Sequence, residues 1–190
     1  MKNILRCLVG LTLLTSPLVQ AVTTRDQSSD PITSANWQQH PRIKETRSLV
    51  EAVNSSVKQN VLKTSSRKFD YCEPYEDTLR KMSVNSRGIV RRYENEAGSE
   101  DSNLTFQHYY DEAGRLRFVF ISGGAVNGSQ LEHRIYFDET GKRIWEDHKY
   151  LKGPGYTFPE VWPDEQLQKT GAAKAFAAKS PCREVRKRAR

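Results

Sequence analysis

The sequence predicts an α+β fold: a meander of about six antiparallel strands, one long N-terminal helix, and a C-terminal helix and loop tied back by a disulfide. Three patterns carry that reading. Valines recur at helical spacing in residues 42–62. Four tetrapeptides beyond them begin with Asn or Asp and end in Gly. Apolar and polar residues alternate on both sides of those tetrapeptides.

The N-terminus reads as a secretory signal over residues 1–21. Lys2 and Arg6 precede the apolar run from Cys7 to Val19, and Val19 and Ala21 stand at the −3 and −1 positions of a cleavage site. No other apolar run approaches membrane length, so the expectation is an exported protein, periplasmic or extracellular and not transmembrane. Residues 22–40 are rich in Ser, Thr, Gln and Asp without apolar period and read as a flexible leader. Residues 41–182 form the single expected domain, and 183–190 a basic tail. Pro41 suits the first turn of a helix carrying Ile43, Val50, Val53, Val57 and Val61 on one stripe.

The tetrapeptides are Asn85–Gly88, Asn95–Gly98, Asp111–Gly114 and Asp138–Gly141. Each suits a type I turn, whose first side chain bonds the backbone two residues on and whose glycine closes a bulge in the left-handed conformation. Asn127-Gly128 adds a further hairpin signal. The expected strands are 79–84, 89–94, 104–110, 115–122, 130–137 and 142–150. Setting Asp111 against Gly114-Arg115 places Tyr110 opposite Leu116, His108 opposite Phe118 and Phe106 opposite Phe120. The same construction at Asp138 places Ile135 opposite Trp145, Arg134 opposite Glu146 and His133 opposite Asp147. A short helix is expected over 164–179, after a proline-punctuated aromatic loop.

Residues 108–120, HYYDEAGRLRFVF, and residues 135–147, IYFDETGKRIWED, repeat one another. Tyr110, Asp111, Gly114, Arg115 and Leu116 resemble the YD-repeat, a strand–turn–strand unit; the later copy departs, with Phe137, Lys142 and Arg143 in place of Tyr, Arg and Leu. The resemblance implies shared hairpin chemistry and no shared function. The chain also resembles small exported bacterial proteins of unassigned role, which implies no mechanism.

Of three cysteines, Cys7 leaves with the signal. Cys72 and Cys182 then most simply form one disulfide, closing a loop of about 110 residues and contributing roughly 4–5 kcal/mol. The net charge is +7, and the last twelve residues, KSPCREVRKRAR, hold +5 of it. The basic character therefore belongs to the tail, and no nucleic-acid partner is inferred.

No P-loop, dinucleotide fingerprint, HExxH or nucleophile elbow is present, and neither cofactor nor metal is expected. Three constellations remain. His133 and Asp147, with His108 on a neighbouring hairpin, have the residue types of an acid–base pair; the bland alternative is a structural polar pair. Tyr156, Phe158 and Trp162, with Trp145 nearby, suit a binding platform or a lid over one sheet face. Arg183, Arg186, Lys187, Arg188 and Arg190 suit an anionic surface or a solvated end. The favoured function is a small exported binding protein without catalysis, an immunity or inhibitor protein being one version. Its partner would be a protein or an anionic envelope surface. A hydrolase built on His133 and Asp147 and a structural envelope protein are the alternatives.

Overall fold

The computed structural model describes residues 30–70, 78–155, 157–163, 167 and 171–179. They form one antiparallel sheet: β1 (Lys63–Phe69), β2 (Thr78–Val84), β3 (Val90–Ser99), β4 (Ser102–Tyr110), β5 (Leu116–Ala125), β6 (Gln130–Phe137) and β7 (Arg143–Lys152), with helices α1 (Pro41–Lys58) and α2 (Ala172–Ala177). The strands lie in sequence order, each bonded to the next.

This corrects the expected six strands to seven among the described residues. The strand missed is β1. Its sequence, KTSSRKF, lacks an apolar alternation because most of it faces water. Pairing with β2 over its whole length holds it instead, from Lys63 opposite Val84 to Phe69 opposite Thr78.

Three of the tetrapeptides are one repeated device. The oxygen of Asn85 accepts from the amides of Arg87 and Ile89. Asp111 accepts likewise from Ala113 and Arg115, and Asp138 from Thr140 and Lys142. Each turn closes with a glycine at positive φ, 77°, 78° and 82° at Gly88, Gly114 and Gly141, where side chains are disfavoured. Asn95–Gly98 is a correction: it continues β3, with Asn95 opposite Phe106 and Glu96 opposite Thr105. That turn falls at Glu100-Asp101 instead, where Ser99 Oγ donates to Asp101.

The registers also needed correction, and the cause is shared. After each of the three turns one further residue bulges from the ladder. Val84 faces Val90 but Ser83 faces Arg92, leaving Arg91 out. Tyr110 faces Leu116 as expected, but Tyr109 faces Phe118, leaving Arg117 out. Phe137 faces Arg143 but Tyr136 faces Trp145, leaving Ile144 out. A shift of one residue exchanges the faces of everything beyond it. Phe118 and Phe120 therefore join Tyr109 on one side, while Val119 and Ile121 join Tyr110 and Leu116 on the other.

Both faces are consequently apolar near the turns, and each has its own cover. One core packs Tyr109, Phe118 and Tyr136 under Ile43 and Val53 of α1. The other packs Tyr93, Val119, Ile121, Leu131, Ile135 and Phe137 under Phe158, Trp162, Leu167 and Ala172. Full burial of such side chains contributes about 1.5–3 kcal/mol each.

His40 caps α1, its Nδ1 accepting from the Arg42 amide while Nε2 donates to the Asp30 carbonyl. The helix ends at Lys58, short of the expected Leu62, because Asn60 turns left-handed at φ 58°. Val61 of the expected stripe is therefore exposed. Residues 34–39, assigned to the leader by sequence, form turns that bring Trp37 against the sheet. Arg67 and Arg80 donate to the last carbonyls of α2, at Ala175, Phe176 and Ala178, a favourable place for cations. No described helix is long and apolar enough to cross a membrane.

Candidate functional site

The sequence pointed to His133 and Asp147, and the structure separates them. His133 faces His148, not Asp147, and Arg134 faces Asp147. His133 and Asp147 consequently lie on opposite faces of β6–β7, because the bulge at Ile144 shifts the ladder by one. His133 is fully buried, at 0% exposure. Its carboxylate partner is Glu146, with Nε2 3.0 Å from Oε2. Glu146 also accepts from Arg143 at 2.8 Å, and Arg143 donates to the Trp162 carbonyl. The bond from His133, outweighing burial and assisted by Arg143, holds the Glu146 carboxyl below its ordinary range. The carboxylate is thus the acceptor and the imidazole the donor. His148 stacks on His133, centroids 4.7 Å apart and planes 11° from parallel. His108 lies on the same face two strands away, Nδ1 3.3 Å from the Tyr93 carbonyl.

The aromatic loop is a lid. Phe158 and Trp162 are 7% and 4% exposed. Trp162 meets Phe106 edge to face at 5.2 Å, and Tyr150 Oη both donates to the Phe158 carbonyl and accepts from its amide. Of the two readings, platform or lid, Phe158 and Trp162 take the second, facing inward because the sheet face beneath them is apolar. Trp145, placed near this loop by sequence, lies on the α1 face and stacks on Trp37 at 5.8 Å. Tyr156, Cys72, Cys182, Arg183, Arg186, Lys187, Arg188 and Arg190 lie outside the described residues. Among the described residues no group of acids, histidines or cysteines has metal-binding geometry.

The site that sequence reasoning missed is a groove of about 520 Å³ between α1 and the sheet. Its floor is Tyr109, Phe118, Phe120 and Tyr136. One wall comes from Trp37, Arg47 and Asn54, the other from Gln107, Arg134, Asp147 and Lys149. The amphipathic pattern of α1 sets its far wall, and the bulge at Arg117 aims Phe118 and Phe120 into it. Tyr109 Oη donates to Asn54 across the groove at 3.1 Å. The Arg134 guanidinium lies over Phe120 at 4.9 Å and bonds Glu132 at 2.7 Å. Asp147 has Lys149 at 3.4 Å and Arg134 at 3.9 Å. Arg47 differs. It lies 5.0 Å over the Trp37 ring and donates to the Gln38 carbonyl at 3.1 Å, but no acid pairs with it among the described residues. The one signal available in the sequence was Trp37, a large aromatic alone in a polar segment.

The chain matches none of the protein-family models, curated proteins or solved structures with which it was compared.

Proposed function

We propose that this is a small exported binding protein with no reaction of its own, and that the α1 groove takes an extended segment of a partner polypeptide carrying an acidic side chain. The observation that carries the reading is Arg47: a guanidinium held over an aromatic ring, lining the groove and without a carboxylate partner among the described residues. Such a fork is arranged for a planar anion, and less ordering entropy opposes binding when it is already positioned. The groove lining has three cations, Arg47, Arg134 and Lys149, against Glu51 and Asp147, which favours an occupant of the opposite sign. It spans strands β4 to β7, roughly 15 Å at the usual strand spacing, the reach of about four or five extended residues. Amide side chains at Asn54 and Gln107 suit a peptide backbone.

A hydrolase is the weaker reading, because the imidazole is fully buried and its carboxylate partner Glu146 is already bonded to it and to Arg143. The disulfide Cys72–Cys182 and the basic tail remain part of the proposal, the tail adding long-range attraction to an acidic partner or an anionic envelope surface.

The test is a panel of short extended peptides, acidic, neutral and basic, read by the emission of Trp37 and by calorimetry. Acidic peptides should bind in a salt-sensitive manner, and Arg47→Ala should weaken them at least tenfold without loss of melting temperature. Equal binding of all three classes, or indifference to Arg47→Ala, would overturn the assignment. A hydrolytic activity lost in His133→Gln would favour the alternative.

A further inference from the structure

We propose that the stacked His133–His148 pair is a pH-sensitive latch on the lid formed by residues 157–163, releasing it as the medium becomes mildly acidic.

His133 is buried on β6 with Nε2–H directed at Glu146, and its Nδ1 is buried without a hydrogen-bond partner among the described residues. His148 lies parallel to it on β7, and its Nε2 is likewise buried without a partner. A proton on His148 would set a cation against the stacked His133 ring, at a nitrogen that is buried without a partner.

Two attachments of the lid converge on this pair, while Thr157 at its start is held separately by Asn127 and Ser129. On one side Glu146 joins His133 to Arg143, and Arg143 holds the Trp162 carbonyl. On the other, His148 packs against Tyr150 at 5.1 Å, and Tyr150 Oη holds both the amide and the carbonyl of Phe158. β7 is the last strand of the sheet among the described residues, and none of them adds a strand that opposes an outward shift of His148. The charged and titratable groups facing the pair are Arg143, Glu146 and Tyr150 on β7 and Glu160 on the lid. Across the same face stand His108 on β4, Tyr93 on β3 and Tyr110 on β4. β5 presents only Val119 and Ile121 between them.

Burial, and then the neighbouring His133, lower the His148 pKa below 6.5, with Glu160 and Glu146 opposing in part. A histidine with a depressed folded pKa contributes stability that is whole above about pH 6.5 and is lost as pH falls through the folded value. Glu146, lowered from 4.5, adds a second and more acidic window below that value. The first window loosens the Tyr150–Phe158 side and the second the Arg143–Trp162 side. Release would expose Phe158, Trp162 and the apolar face beneath them.

Hydrogen exchange of the 157–163 segment, corrected for intrinsic rates, reads the latch directly. Protection should fall by up to about tenfold per pH unit below 6.5, the limit for one linked proton, while β3–β5 stay unchanged. His148→Phe keeps a stacked ring that cannot titrate and should leave lid protection flat, within about twofold, between pH 7.5 and 5.5. Imidazole titration by NMR on the wild type supplies a second reading, with His148 expected below 6.5. An equal loss of protection in wild type and His148→Phe, no loss in wild type, or a His148 titration at or above 6.5 would each overturn the proposal.

Discussion

Arg117→Met tests the repeated hairpin device most directly. Arg117 bulges from β5, and its side chain is 6% exposed. Its Nε donates to the Phe137 carbonyl at 3.2 Å, the residue just before Asp138. One repeat earlier, Arg91 bulges from β3 and its Nε donates to the Tyr110 carbonyl at 3.0 Å, just before Asp111. Each bulged arginine therefore stitches its own hairpin to the next. Methionine retains the stem packing and removes the charge and the donors. A hydrogen bond from a charged donor contributes about 1.5–3 kcal/mol. The further Arg117–Asp111 contact, at 3.9 Å, is long, and Asp111 keeps Arg115. The expected loss is therefore about 2–3 kcal/mol, read as a urea midpoint lowered by roughly 1 M at constant slope. The control is Arg115→Met. Arg115 binds the same Asp111 at 2.7 Å but is 50% exposed, and such pairs contribute about 1 kcal/mol or less. If the two variants unfold alike, the stitch carries no energy and the bulges are passive.

Asp111→Asn should cost less than about 1 kcal/mol and Asp111→Ala about 2–4, because Asn85 shows that an amide oxygen serves the same two backbone donors; denaturant curves decide it. Burial raises the carboxyl pKa of Asp111, but the Arg115 and Ala113 amides and the Arg115 guanidinium outweigh it and hold the group below 3.8. Its stabilising effect is thus present above that pH and lost as pH falls further, a loss that Asp111→Asn should blunt. Gly114→Val and Gly141→Val should each destabilise by about 1–3 kcal/mol through positive φ. Gly114 should suffer more, since a Cβ there meets Ile89 at 3.4 Å while Gly141 has open space; melting curves of the pair provide the comparison. Non-reducing peptide mapping should link Cys72 to Cys182, and two alkylatable thiols in native protein would remove that tie. Truncation after Cys182 should leave the melting temperature unchanged and weaken binding to anionic vesicles, most clearly at low salt.

What the sequence disclosed divides along physical range. The turns at Asp111 and Asp138 were legible because their chemistry is local: one side chain, two amides and a glycine within five residues. Asn95–Gly98 has the same letters but forms strand, since Asn95 and Glu96 find ladder partners on β4 and the turn moves to Glu100-Asp101. The bulges were not legible: those at Arg91 and Arg117 are accompanied by an arginine bond to a carbonyl some twenty residues away, and that at Ile144 by apolar packing against α1. The unread bulge at Arg117 misplaced Phe118, and the one at Ile144 put Asp147 in place of Glu146 as the partner of His133. β1 was missed for want of apolar side chains, its hold being backbone pairing. The groove was missed because its walls come from the 34–39 turns, α1 and four strands, none of which has a signature alone.

The third copy of the repeat explains why the device stops where it does. At the position of Arg91 and Arg117, β7 carries Ile144. An arginine there would have no following hairpin carbonyl to hold among the described residues, where β7 is the last strand of the sheet. A buried guanidinium without an acceptor costs more than it contributes. Isoleucine instead packs into the α1 core beside Trp37 and Trp145. Asp138, the last of the three turn residues, takes its cation from the helix: Arg42 Nη2 lies 3.2 Å from its Oδ2. The repeat is thus closed by α1, and α1 is also the wall of the groove. The element that ends the hairpin series is the one that makes the proposed binding surface, so substitutions at Arg42 and Asp138 should be felt in both.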